Sequence, residues 1–228
     1  MALTLTVGIL PHVRRYNPER LSYYFEQFAA INHALLERGF PEHEEPEEIE
    51  DWSVEMYGHS GLHTLRRVAA HLWAGKGVPE PAKRGPAGVP DASTDPVLGE
   101  YYDEVRSWLE AGVARYRMAY EHLILHSDDR GYYLPMRFSQ VIFASPTLNV
   151  AGSMIGSAQV LIDECRQLLG ALGVPPMLDY ESDAVREAVN NPGRGIGWER
   201  YGIEVESCLK LMAACQRSLE TGAVVVFT

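Results

Sequence analysis

The sequence predicts an α+β fold, with about six helices packed on a small sheet of four to five strands that includes the N- and C-terminal strands. Helical and strand patterns do not alternate regularly along the chain, which argues against a doubly wound parallel fold. The 228 residues are 46% apolar, which is enough for one sizeable core. We therefore expect a single globular domain over residues 1–228, built on a mixed or antiparallel sheet.

The first part of the chain is predicted to contain a strand, a helix and an acidic loop. Apolar residues alternate with polar or small ones from Leu3 to Ile9, the pattern of a strand with one buried face. Asn17 and Pro18 form a helix start, and the apolar stripe after them predicts a helix that ends near Gly39. Residues 40–51 contain seven acids and two prolines, so we expect an exposed loop there.

The middle of the chain is predicted to contain two helices and then short extended segments. Apolar residues at helical spacing predict a helix over 60–73. The stretch near 74–94 is rich in glycine and proline, which predicts a second exposed loop. A further helix is predicted over 95–120, because it begins with an aspartate and a proline. The segments with strand character are 122–126, 131–136 and, as a strand or a turn, 141–144.

The last third of the chain is predicted to end in a buried strand. Apolar stripes predict a long helix over 152–173, a short one over 182–189 and a clear one over 198–219. Residues 223–228 then form an apolar, largely β-branched run. Such a run is typical of a strand buried on both faces in the middle of a sheet.

The net charge of the chain indicates which kind of partner it could bind. The chain has 31 acidic and 20 basic residues and a formal net charge of −11. A field of this sign repels phosphate groups, so we expect no nucleic-acid partner, whereas a basic protein surface would be attracted. The alternative interpretation is that the charge serves solubility alone.

A cytoplasmic location is expected. The three cysteines, Cys165, Cys208 and Cys215, lie on the apolar stripes of predicted helices, which is typical of free thiols in a reducing compartment. The first ten residues lack the basic start and continuous apolar run of a signal peptide. No stretch reaches the roughly 18 apolar residues of a membrane helix, so we expect no membrane partner.

The leading functional hypothesis is a non-catalytic binding protein. The sequence has no phosphate-binding loop, dinucleotide fingerprint, zinc motif or nucleophile elbow, and we predict no cofactor. One concrete form is an acidic inhibitor that covers a basic enzyme, as immunity proteins cover nucleases. The candidate contact residues then lie in the acidic stretch: Glu44, Glu45, Glu47 and Glu48.

The alternative hypothesis is a metal-assisted or general acid/base enzyme. If residues 122–126 form a strand, His122 and His126 share one of its faces, and Asp128 and Asp129 follow at a turn. Imidazoles and carboxylates in that arrangement suit a divalent metal or a proton-transfer pair. The structural alternative is that the histidines end the strand and the aspartates cap the turn.

A third hypothesis is self-association. The apolar seam between Trp198 and Leu219 has steps of three and four residues, which suit a helix–helix homodimer. A long helix packed on its own sheet would show the same pattern.

Overall fold

The computed structural model describes residues 3–81, 92–112 and 118–228, and this part of the chain has an α+β fold. It contains eight α helices and six strands, slightly more than the sequence predicted. The helices are α1 (Ile9–Tyr16), α2 (Leu21–Glu37), α3 (His59–Trp73), α4 (Pro96–Glu110), α5 (Glu121–Ile124), α6 (Ala158–Ala171), α7 (Asp183–Asn190) and α8 (Gly202–Thr221). The strands are β1 (Leu3–Val7), β2 (Trp52–Met56), β3 (Tyr132–Leu134), β4 (Ile142–Phe143), β5 (Met154–Ser157) and β6 (Val225–Phe227).

The strands form one mixed sheet in the order β2-β1-β6-β3-β5-β4. β6 is antiparallel to both of its neighbours, with Val225 opposite Val7 on one side and Tyr133 on the other. β3 and β5 are parallel, and β4 is antiparallel to β5. The sheet therefore includes the N- and C-terminal strands, and β6 lies in its interior as the β-branched run predicted.

Two segments near the N-terminus differ from the sequence prediction. The strand that was expected to reach Ile9 stops at Val7, and Ile9 begins α1. Gly8 makes this turn with a φ of 81°, a left-handed conformation that glycine adopts without steric cost. β2 was not predicted, although Trp52, Val54 and Met56 alternate with polar residues, which is the period-two pattern of a strand. The run has only five residues, and of these only Met56 is fully buried.

Three further predictions were wrong in secondary structure. Residues 121–124 form the helical turn α5 and not a strand, and Ile124 N donates to Tyr120 O at 2.9 Å. The helix expected from residue 152 begins only at Ala158, because residues 154–157 form β5. α4 stops at Glu110, followed by Gly112 with a φ of 65°, and residues 118–120 are not helical, whereas the sequence predicted a helix over 95–120. Residues 113–117 of that prediction lie outside the described residues. Short apolar runs fit a strand or a helix equally well, which explains the first two errors.

The chain divides into two compact units. We call residues 56–124 and 163–210 the helical unit, and residues 3–55, 125–162 and 211–228 the sheet unit. The prediction of a single domain over 1–228 stays a prediction. The predicted loop near 74–94 lies in large part outside the described residues.

In the sheet unit, α1 and α2 pack on one face of the sheet. Their buried side chains join those of alternate strand residues in one apolar cluster, which contains Phe28, Ile31, Tyr132, Ile155 and Val226 among others. The opposite face carries the aromatic rings of Tyr133 and Phe227. All three residues of β6 are buried, so both of its faces are covered, as its apolar run predicted.

In the helical unit, the start of α4 is fixed by its cap. The Asp95 side chain accepts a hydrogen bond from Val97 N at 2.9 Å, as expected for a capping aspartate. The same carboxylate lies 2.9 Å from Arg67 Nε on α3. The ring centroids of Trp73 and Tyr101 are 4.9 Å apart in an edge-to-face contact, so α3 and α4 also pack through aromatic side chains.

None of the helices in the described ranges combines the length and the hydropathy that crossing a membrane requires.

Gly202, at the start of α8, lies so close to α7 that a side chain does not fit. A Cβ there would overlap the Ala188 carbonyl group and would lie 2.5 Å from Val189 N. Since these neighbours are backbone atoms, we expect Gly202→Ala to lower the free energy of unfolding by about 1–3 kcal/mol. Urea unfolding measures the change. The control is Gly170→Ala in α6, which meets nothing within 4 Å and should be neutral or stabilising. Equal stabilities of the two variants would contradict this packing.

Candidate functional site

Residues 40–51, which we call the acidic segment, connect α2 to β2 without forming a helix or strand. Five of its glutamates are exposed: Glu42, Glu44, Glu47, Glu48 and Glu50. His43 and Glu45 are buried, which differs from the exposed loop that the composition suggested. Exposed and buried residues alternate from 42 to 45, the pattern of an extended chain with one face on the protein.

Glu45 holds the acidic segment to the sheet. Its Oε2 accepts a hydrogen bond from Val224 N at 2.9 Å, one residue before β6, and lies 2.8 Å from His43 Nε2. Burial raises the pKa of Glu45, and the hydrogen bonds from His43 and Val224 oppose that rise. The buried carboxyl group thus joins the segment to the centre of the fold.

A second anchor joins the acidic segment to α2. His43 N donates to Asn32 Oδ1 at 2.8 Å, and Asn32 Nδ2 donates to His43 O at 3.0 Å. These paired bonds satisfy both backbone groups of His43, as a strand neighbour would. The backbone conformation at this point is therefore fixed.

Side chains of α1 form the third anchor. Arg14 donates to the Glu47 carboxylate and also to Glu47 O at 3.3 Å. His12 Nδ1 and Arg15 Nη1 lie 2.8 and 3.0 Å from the two carboxylate oxygens of Asp51, whose side chain is only 10% exposed. The far end of the segment is thus held by salt bridges.

The remaining glutamates of the segment point into solvent. Glu42, Glu44, Glu48 and Glu50 are exposed and form no ion pair within the described part of the chain. Four uncompensated carboxylates thus lie on backbone that is fixed at three points. This arrangement can attract and orient a basic surface, because the anchored backbone needs little ordering on contact.

Of the four predicted contact residues, Glu44, Glu47 and Glu48 are at the surface and Glu45 is in the interior. Glu47 already shares a salt bridge with Arg14. The sequence contained no signal for the burial of Glu45, because the hydrogen bond that explains it comes from Val224, 179 residues away.

The sheet unit contains three residues of the predicted enzyme site. The His126 ring is buried and stacks on Tyr133, with centroids 4.1 Å apart, and its Nδ1 lies 3.1 Å from Ser127 O. Asp128 is half-buried. Asp129 is exposed and pairs with Arg130 Nε at 3.3 Å.

His122 belongs to the helical unit, where it is buried in α5. The premise that His122 and His126 share one face of a strand was wrong, because residues 121–124 are helical. No group of three or more histidine, cysteine, aspartate or glutamate side chains suited to a metal occurs among the described residues. The assignment of His122, His126, Asp128 and Asp129 to catalysis stays a prediction.

The helical unit contains a buried carboxyl group that the sequence reading missed. The two oxygens of Glu164 accept hydrogen bonds from His122 N at 3.1 Å and Leu123 N at 2.9 Å, which caps α5. Burial raises the pKa of Glu164 to about 8, although these two hydrogen bonds oppose the rise. The sequence did contain a signal for this burial. Glu164 follows the buried Leu161 by three residues, so the two side chains lie on the same face of α6.

Exposed carboxylates on anchored backbone are typical of a protein that binds a basic surface. The comparison with protein families agrees: residues 1–227 match the family described as "Putative DNA-mimic protein". The chain belongs to this family. No curated protein and no solved structure matches it.

The family assignment confirms the prediction of a binding protein and corrects the prediction about its partner. We expected no nucleic-acid involvement, because the net charge of −11 repels phosphates. That expectation was wrong, since a DNA mimic acts on a protein that binds DNA. The negative charge that repels phosphate groups also gives a protein an electrostatic likeness to DNA.

Glu45→Ala should loosen the acidic segment. The change leaves Val224 N without its acceptor in the interior, so we expect the free energy of unfolding to fall by about 1–3 kcal/mol. Amide hydrogen exchange over 40–51 should also become faster than in the native protein. Glu44→Ala, one residue away at the surface, is the control and should change stability by less than about 0.5 kcal/mol. Unchanged exchange in Glu45→Ala would contradict the anchoring role.

Glu164 should make stability depend on pH. Its pKa is raised from 4.5 to about 8 in the folded protein, so the folded state holds a proton that the unfolded state has lost in this window. Its contribution to stability is therefore complete below pH 4.5 and falls as the pH rises to about 8. Glu164→Gln removes this titration.

The measurement is urea unfolding at several pH values between about 5 and 8. Glu164→Gln should lose less stability over this range than the native protein does. Glu104→Gln, an exposed change in the same unit, should follow the native protein. Parallel curves for Glu164→Gln and the native protein would show that this carboxyl group is ionised in both states.

Proposed function

We propose that this protein binds the DNA-contacting surface of a DNA-binding protein and competes with DNA for it, with the acidic segment as the contact. The observation that carries the proposal is the set of exposed carboxylates held on anchored backbone: Glu42, Glu44, Glu47, Glu48 and Glu50. Membership of the DNA-mimic family supports the same conclusion.

The charge density of the segment supports imitation of a DNA strand. Residues 42–50 span at most about 32 Å when extended, at roughly 3.6 Å per residue. Glu47 is paired with Arg14, so the four remaining carboxylates over that length give about one charge per 8 Å. This is within about a factor of 2.5 of the 3.4 Å per charge along one strand of duplex DNA.

The anchoring of the segment adds affinity and specificity. A flexible acidic tail would have to be ordered when it binds, at a cost of about 1–2 kcal/mol per residue. Here Asn32, Glu45 and Arg14 already fix the backbone. Because the backbone that carries the carboxylates is held in one conformation, the segment favours partners whose cations match its spacing, as the cations of a DNA-binding surface would.

An inhibitory role and a cytoplasmic location follow from the same proposal. A protein that occupies a DNA-binding surface prevents that surface from engaging DNA, so the expected consequence is inhibition of the partner. Cys165, Cys208 and Cys215 are buried and form no disulfide with one another, which suits the reducing compartment in which such partners act.

The first experiment identifies the partner by displacement. The protein is immobilised, extract from its native cells is applied, and bound proteins are eluted with duplex DNA. We expect a basic DNA-binding protein in the DNA eluate. If bound proteins resist DNA but elute with salt, the contact lies outside their DNA-binding surface and the proposal fails.

The second experiment tests the segment in a competition assay with the purified partner and a labelled duplex. Replacement of Glu42, Glu44, Glu48 and Glu50 by glutamine leaves the anchors in place. At about 0.5–1 kcal/mol per charge, we expect displacement of DNA to weaken by about 30-fold or more. Affinity should also fall steeply between about 50 and 200 mM salt.

A matched variant distinguishes the effect of the acidic segment from the effect of overall net charge. α4 in the helical unit also carries four exposed acids, which are Glu100, Asp103, Glu104 and Glu110. Their replacement by the corresponding amides changes the net charge by the same amount and should leave competition near the native level. Equal loss in both variants would show that overall charge, and not the acidic segment, is responsible.

A further inference from the structure

The sheet unit contains an open cleft of about 460 Å³. One wall is the start of α2, and the other is formed by the turn before β3 and the end of β6. Its volume lies in the range that is typical of sites for small organic ligands. The lining residues are Arg20, Tyr23, Tyr24, Asp129, Arg130, Gly131, Tyr132, Ala151, Val226, Phe227 and Thr228.

The side chains of this cleft carry positive charge in a protein whose net charge is −11. The lining side chains include two guanidinium groups, of Arg20 and Arg130, and one carboxylate, that of Asp129. Asp129 pairs with Arg130 at 3.3 Å, and Arg20 forms no ion pair among the described residues. The cleft is therefore suited to an anion, and the acidic protein around it repels large polyanions.

Arg20 is held by stacking. Its guanidinium carbon lies 5.7 Å from the ring centroid of Tyr23 and 5.6 Å from that of Tyr24. Contact with the ring faces fixes the plane of the guanidinium but uses none of its five N–H donors. Those donors match the oxygens of a phosphate group.

The aromatic side chains suggest the rest of the ligand. Tyr23 is 37% exposed and lines the cleft, as do Tyr24 and Tyr132, which are buried. Exposed tyrosine rings beside arginines stack on flat heterocycles. We propose that this cleft binds a phosphorylated small molecule with a flat aromatic ring, of the mononucleotide class. This site is independent of the acidic segment and of its protein partner.

The test is isothermal titration calorimetry with adenosine 5′-monophosphate. We expect binding at a stoichiometry of one, with adenosine and ribose 5-phosphate each binding at least about tenfold more weakly than the intact nucleotide. Arg20→Gln should weaken nucleotide binding by about tenfold or more, and Arg130→Gln should act in the same direction. Thermal unfolding of both variants checks that the fold is intact.

The control is Arg186→Gln, an exposed arginine of α7 that pairs with Asp183, and it should bind the nucleotide as the native protein does. Absence of nucleotide binding at millimolar concentration would overturn the proposal. So would equal binding of adenosine, because the arginines would then be irrelevant. Equal binding of ribose 5-phosphate would overturn the aromatic part. If either cleft variant folds and binds as the native protein does, the site lies elsewhere.

Discussion

The hydrogen bond between the Glu45 carboxyl group and Val224 N is the contact on which the acidic segment depends. Burying a carboxyl group is unfavourable unless hydrogen bonds replace its hydration. Val224 and His43 provide two such bonds. Because Val224 directly precedes β6, the contact ties the most highly charged stretch of the chain to the strand at the centre of the sheet. The repulsion between neighbouring glutamates is thereby opposed by the folding of the whole unit.

The sequence predicted the elements whose signals are local. The β-branched run at 223–228 predicted a central strand, and Asp95 and Pro96 predicted the start of α4. These predictions succeeded because a helix cap and a strand buried on both faces can each be recognised from a few adjacent residues in the sequence. Residues 122–126 and 152–157 failed for the opposite reason, since a run of four to six residues does not reveal its period.

The sequence predicted where the candidate site lies, but not which of its residues are buried or which contacts anchor them. Composition alone drew attention to residues 40–51. The burial of His43 and Glu45 was invisible, because it depends on Asn32 and Val224, which are distant in sequence. Net charge also allowed two opposite conclusions. A negative protein repels DNA and resembles it for the same electrostatic reason, and only the family assignment distinguished exclusion from imitation.

The alternation of exposed and buried residues from 42 to 45 limits how this segment can change over time. Substituting one exposed glutamate by aspartate keeps the arrangement, but inserting a single residue would exchange the inward and outward sets, since side chains alternate with a period of two. Such an insertion would leave composition and net charge almost unchanged. Variation in this segment should therefore be tolerated in residue identity and not in length, which overall acidity does not reveal.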